Sequence, residues 1–172
     1  MDNPVESLLN ADHKSLDRLL GQVFAAIEAR DADLSYRRLD RFWARLAVHI
    51  RAEHLHLFPF VLKAFDVRGI PPTGAIELIR ELHADHDFFM RELAIAIKMM
   101  RRVASGGGDE MDDVREILTS VHSRLVRHNN VEEEKIYKLV DNSSPAESRL
   151  ADSIQREIHN LPPRFGESQG DE

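Results

Sequence analysis

The chain has 172 residues, 42% of them hydrophobic and 31% charged, with a formal net charge of −7. That length accommodates one domain with a sizeable core, and the acidic balance argues against nucleic acid as a partner. With no cysteine, the chain excludes disulfides, thiolate metal sites, iron–sulfur ligation and a cysteine nucleophile.

The opening stretch MDNPVESLLNADH is acidic and lacks a basic region followed by an apolar one. It does not read as a secretory signal, so a cytoplasmic location is expected. No later apolar run approaches the roughly 20 residues that span a membrane, so no membrane contact is expected. Helical spacing is almost continuous and strand signals are almost absent. A first helix is predicted from Pro4, a favourable first-turn residue, to Arg30, with the stripe Leu9, His13, Leu16, Leu20, Val23 and Ile27. A second opens near Asp33 and carries Phe42, Leu46, His49, Glu53, Leu57 and Phe60, with a kink expected at Pro59. RGIPPTG, residues 68–74, is the strongest breaker and divides the chain into halves.

A third helix is predicted over Ala75 to Val103, with Ile79, His83, His86, Met90, Leu93 and Ile97 on one side. After a flexible SGGGDE comes a fourth, Met111 to Val140, with Val114, Leu118, Val121, Leu125, His128, Glu132, Ile136 and Leu139 inward. A shorter fifth helix is expected over Ala146 to Asn160, and LPPRFGESQGDE reads as a flexible tail. The fold class is therefore all-α: an up-down-up-down four-helix bundle with a short C-terminal fifth helix. Residues 1–160 form the domain and 161–172 the tail. An apolar face on the fifth helix is compatible with a homodimer as well as a monomer.

The halves repeat each other. ADHKSL at Ala11 recurs as ADHDFF at Ala84, and HIRAEHLHLFPFV at His49 recurs as HNNVEEEKIYKLV at His128. The second pair stands slightly farther apart than the first, which fits a different connection between the helices. Each half is a helix with an inward His followed by a helix with His-x-x-x-Glu, whose two members share a face one turn apart. Folding the halves together brings His13, His49, Glu53, His86, His128 and Glu132 into one interior. Such groups are costly to bury without partners, and four imidazoles with two carboxylates approach what two divalent metals require. Imidazole suits iron, zinc, copper and nickel, and a carboxylate can give one oxygen to each of two ions.

His83, one turn before His86, is a candidate seventh ligand. His56 is expected to line the interior two turns from His49, His54 and His122 are expected at the surface, and His159, in the fifth helix, is expected to take no part in the site. Glu133 and Glu134 read as a solvated face, and Tyr137 as core packing, with a hydrogen bond near the site as the alternative. A ferritin-like site fails because only Glu53-x-x-His56 has the required spacing. There is no His-Glu-x-x-His for a zinc protease, and no Ser on a nucleophile turn.

The order His13, His49-x-x-x-Glu53, His86, His128-x-x-x-Glu132, with LFP after Glu53, resembles the hemerythrin-like family of HHE cation-binding domains over roughly residues 5 to 141. The resemblance implies an up-down four-helix bundle around two non-haem irons, oxo- or hydroxo-bridged, with manganese or zinc able to use the same ligands. It implies His13, His49, His86 and His128 as terminal ligands and Glu53 and Glu132 as bridges; His54 stands where many members carry a second acid. Oxygen-carrying members have two histidines four apart on the third helix, where this chain has His83 and His86, three apart. Those members also end on an aspartate five residues after its histidine, where this chain has Glu132, four after His128. The pattern is closer to members that repair iron centres or sense iron. The function implied is binding of O2, NO or peroxide at the iron pair, in oxidative or nitrosative stress or in iron or oxygen sensing. Peroxide decomposition, iron-centre repair and a metal-stabilised interaction module are the alternatives.

Overall fold

The computed structural model of the chain describes residues 3–67, 73–140 and 145–165. All elements among them are helical, with no strand. Helix α1 spans Pro4–Glu28. The side chain of Asn3 accepts hydrogen bonds from the backbone N–H groups of Val5 and Glu6, filling two of the donors a helix start leaves orphaned. The helix closes through Arg30 in a left-handed conformation (φ 56°), so that the N–H of Asp31 reaches the carbonyl of Ala26 at 3.1 Å. Asp31 then accepts from the N–H of Leu34 and caps α2, Ala32–Ala52. Two caps within a few residues turn the chain sharply, as expected of the DAD stretch.

After α2 the helix widens into a π turn at Glu53–Leu57 and resumes as α3, Phe58–Val67. Helix α4 covers Thr73–Ala104 and α5 Met111–Val131. Between them Gly106 adopts φ 78°, where a side chain would be strained, and the N–H of Gly107 closes on the carbonyl of Arg102 at 2.9 Å. A second π turn, Glu132–Ile136, and a 3₁₀ turn, Tyr137–Leu139, follow α5. Helix α6 spans Pro145–Ile158, and a 3₁₀ turn covers Pro163–Phe165. The core of the predicted breaker, residues 68–72, and the end of the predicted tail, residues 166–172, lie outside the described residues.

Two expectations about helix continuity are corrected. The kink expected at Pro59 is instead a π turn upstream of it, in which the N–H of Phe58 bonds the carbonyl of Glu53. The fourth predicted helix does not run unbroken to Val140. It widens at Glu132, where the N–H of Tyr137 bonds the carbonyl of Glu132 with no proline nearby. Each turn opens on one of the two repeated glutamates.

The four long helices close a ring, α1 against α2, α2 against α4, α4 against α5 and α5 against α1. Helix α6 packs on α2, α1 and the first π turn. Its apolar face, Leu150, Ile154 and Ile158, is buried within the chain. Two apolar clusters fill the ring. One contains Leu16, Leu46, Phe89 and Leu125; the other contains Leu9, Leu57, Leu82 and Ile136. On every long helix the two clusters meet at a histidine, so a polar layer crosses the core between two oily blocks. No helix among the described residues is long and apolar enough to cross a membrane.

Candidate metal centre

The layer holds His13 from α1, His49 from α2, His86 from α4 and His128 from α5, with Glu53 and Glu132 at the first positions of the two π turns. All six side chains are buried, both glutamates completely. They form two four-residue sets, His13–His49–Glu53–Glu132 and Glu53–His86–His128–Glu132, in each of which the donor atoms lie within 4.8 Å of one another. The sets share the glutamates, and each carboxylate divides its oxygens between them. Glu53 Oε1 lies 3.1 Å from His49 Nε2, and its Oε2 lies 3.3 Å from His86 Nε2. Glu132 Oε2 lies 3.4 Å from His13 Nε2, and its Oε1 lies 3.2 Å from His128 Nε2.

These atoms fit a metal cation. Both oxygens of Glu53 and Oε1 of Glu132 are buried without a well-formed hydrogen bond, a costly state for a carboxylate. The Nε2 atoms of His86 and His128 face each other at 3.0 Å. Two donors each about 2.1 Å from one ion and at right angles to it lie about 3.0 Å apart, which is the spacing found here. Nitrogen and carboxylate donors suit first-row transition metals better than hard cations.

The Nδ1 atoms face outward, toward a supporting shell. Asp12 Oδ2 accepts from His49 Nδ1 at 2.9 Å, and Asp85 Oδ2 accepts from His128 Nδ1 at 3.2 Å. Arg45 pairs with Asp12, and Arg124 Nε donates to Asp85 at 2.6 Å with its guanidinium over Phe88. Glu133 Oε1 lies 3.0 Å from His13 Nδ1. His54 Nε2 lies 2.8 Å from His86 Nδ1. Carboxylates in these positions fix the tautomer of a histidine and raise its donor strength. The hydroxyl of Tyr137 lies 3.2 Å from His13 Nε2 and 3.5 Å from Glu132 Oε2.

In the metal-free chain the layer is electrostatically tuned to hold positive charge. Burial pushes His49 down, but the carboxylates of Glu53 and Asp12 more than reverse this and hold it well above the usual imidazole range. His128 is likewise raised, against burial, by Glu132 and Glu53. Burial pushes Glu53 up, and His49 and His86 bring it well below the usual carboxylate range. Burial and then the charge of Glu53 push Glu132 up, and His128 and His13 bring it below its ordinary value. Burial raises Asp12 as well, and His49 and Arg45 lower it below its ordinary value. Burial, then Glu132 and Glu53, hold the Tyr137 phenol well above its usual range, so it keeps its proton at neutral pH. His54 is brought down to about 4 by burial and by its neighbours His86 and His83.

All six residues singled out by the repeat lie in the layer. His83 does not: it is exposed, belongs to neither set, and its ring stacks on His54 with centroids 4.2 Å apart. His54, expected at the surface, is half-buried against His86. Glu133, expected on a solvated face, stays partly exposed yet brings Oε1 within 3.0 Å of His13 Nδ1. Tyr137, expected in the core with a hydrogen bond near the site as the alternative, does both: it is fully buried and brings its hydroxyl into the layer. His56 faces α6, 3.8 Å from Glu157, rather than the interior. Asp12, Asp85, Arg45 and Arg124 were missed, although their signal is in the repeat. The aspartates are the middle letters of the two ADH copies, and each arginine stands one helical turn before its His-x-x-x-Glu histidine.

Residues 5–140 match the family model described as the Hemerythrin HHE cation binding domain. No curated protein and no solved structure matches the chain. The match covers most of the chain and contains the whole polar layer, with its paired sets of histidine and shared glutamate. The chain belongs to the hemerythrin HHE cation-binding domain family.

Proposed function

We propose that this protein holds two iron ions and binds a small ligand, O2, NO or peroxide, at the pair. His13 and His49 would hold one ion, His86 and His128 the other, and Glu53 and Glu132 would bridge them. The observation that carries this reading is the division of each glutamate's two oxygens between the two four-residue sets. Iron held there supplies a redox-active Lewis acid for a diatomic or peroxide ligand. The chain's own part is to place the donors, to keep bulk water out with the two apolar clusters, and to hold a neutral hydroxyl, Tyr137, at the edge of the layer. A cleft of about 310 Å³ between α1 and α5 is lined by His13 and Glu133 together with Asn10, Lys14 and Asn129, and favours entry of a small polar species on that side. The up-down order of the bundle belongs to the same proposal, since only residues 29–31 join α1 to α2, a length that favours antiparallel neighbours.

The test is metal content on aerobically purified protein, with its near-ultraviolet and visible spectrum before and after dithionite and air. The expected result is about two irons per chain, with oxo-bridge absorption that bleaches and returns. Glu53→Ala and Glu132→Ala should each lose most of the iron. Full stoichiometry in both variants would overturn the bridging roles, and a folded protein that takes up no ferrous iron would overturn the reading.

A further inference from the structure

The two sets are related by the internal repeat, and the supporting shell follows it except in one place. Asp12 and Asp85 are repeat equivalents, and each backs the histidine of the next His-x-x-x-Glu. The residue after each shared glutamate backs the lone histidine of the opposite half: Glu133 for His13, and His54 for His86. These two are also repeat equivalents, yet one is a carboxylate and the other an imidazole. Tyr137 and Phe58 are equivalent in the same register. The first brings a hydroxyl to His13, whereas the second lays its ring beside His86, with centroids 6.1 Å apart.

The chemistry of the acceptor matters because a histidine that gives Nε2 to a cation carries its proton on Nδ1 and must donate it. Donation to a carboxylate moves the ring toward imidazolate and strengthens the metal bond; donation to a neutral imidazole does so far less. His13 and His49 both donate to carboxylates. His128 donates to one as well. His86 has only His54 Nε2, and His54 is itself stacked on exposed His83.

We propose that the residue following each shared glutamate sets the strength of one metal position, and that His54 makes the His86–His128 position the weaker and more readily exchanged of the two. His54 is thus a positioning residue acting through His86. This inference rests on the two-metal reading above.

The test is an anaerobic titration of Fe(II) into the metal-stripped full-length chain, followed by calorimetry. The wild type is expected to bind two ions in two steps separated by about tenfold or more in affinity. His54→Glu, which restores the repeat, should tighten the second step by about tenfold and leave the first unchanged. His54→Gln, a neutral acceptor, should keep the wild-type separation. The reciprocal Glu133→His should weaken the first step and bring the two together, a change that mere loosening of the fold at His54 would not mimic. Two ions bound with an unchanged separation in both His54→Glu and Glu133→His would overturn the inference while leaving the two-metal reading intact. A wild type that binds fewer than two ions would overturn both.

Discussion

The buried imidazoles and carboxylates of the layer stabilise each other in a way that depends on pH, and the direction follows from their shifts. His49 and His128 are raised in the folded chain, so their contribution is present below the ordinary value of 6.5 and is lost as pH rises through their higher folded values. Glu53 and Glu132 are lowered, so theirs is present above the ordinary value of 4.5 and is lost as pH falls through their lower folded values. His54, lowered to about 4 by burial and by His86 and His83, acts the other way below 6.5, so metal-free protein should be most stable near pH 6.5 and should lose stability toward pH 8. Metal requires neutral imidazoles, so its uptake should release protons and should stabilise the protein more as pH rises. Thermal melts of chelator-treated and iron-loaded protein from pH 4 to 9 would show this as curves that diverge above pH 6.5. Melts of the metal-free form that climb steadily from pH 6 to 8 would contradict it.

At the scale of elements, the two π turns decide which residues face the layer. A π turn carries one more residue than the α-helix would between the same ends, and each residue turns the helix by about 100°. In the first turn the extra residue lets His49 and Glu53 face the layer while Leu57 and Phe58 still reach the cluster of Leu9, Leu82 and Ile136. Deleting exposed Leu55 should restore α geometry. It should then leave everything after the turn in register with His49 while removing the widening on which Glu53 sits. The expected outcome is a chain that keeps most of its helical circular dichroism but loses most of its bound metal and melts at lower temperature. Unchanged metal content after the deletion would show that the π turn is not needed to place Glu53.

For the whole molecule, α6 is part of the core rather than an appendage. Its Ile154 is fully buried in the cluster of Leu9, Leu57, Leu82 and Ile136, and Arg45, which supports Asp12, also donates to the carbonyl of Ile158 at 2.7 Å. Glu157 pairs with Arg51 on α2. Ile154→Ala should lower the unfolding free energy by about 2–5 kcal/mol, measured by urea denaturation with metal removed. Because α6 anchors the Arg45–Asp12–His49 line, the variant should also lower metal affinity in the His13–His49 set. A loss below about 0.5 kcal/mol would mean that the α6 face packs loosely and does not support the site.

The helices, their apolar stripes and the six-residue constellation were legible in the sequence because each depends on a local period. Residues three and four apart share a face whatever surrounds them, so Leu16, Leu20 and Val23, or His49 and Glu53, declare their orientation without knowledge of a partner. The repeat added the pairing of the halves. The sequence did not reveal which groups outside that period turn inward. Glu133, His54 and Tyr137 sit one or five residues after a glutamate, and on a regular α-helix those spacings point away from it. The second π turn brings Tyr137 back toward the layer, whereas Glu133 and His54 reach it by meeting His13 and His86 on neighbouring helices. Asp12 and Asp85 were visible as letters of the ADH copies, but their role depends on the distance between neighbouring helices. His83 shows the opposite case, since its periodic position is right and yet it is left outside, stacked on His54. Local period thus determined the bundle and its donor residues from the sequence alone. The widened turns and the helix–helix spacing, which no local pattern encodes, decided what supports each donor.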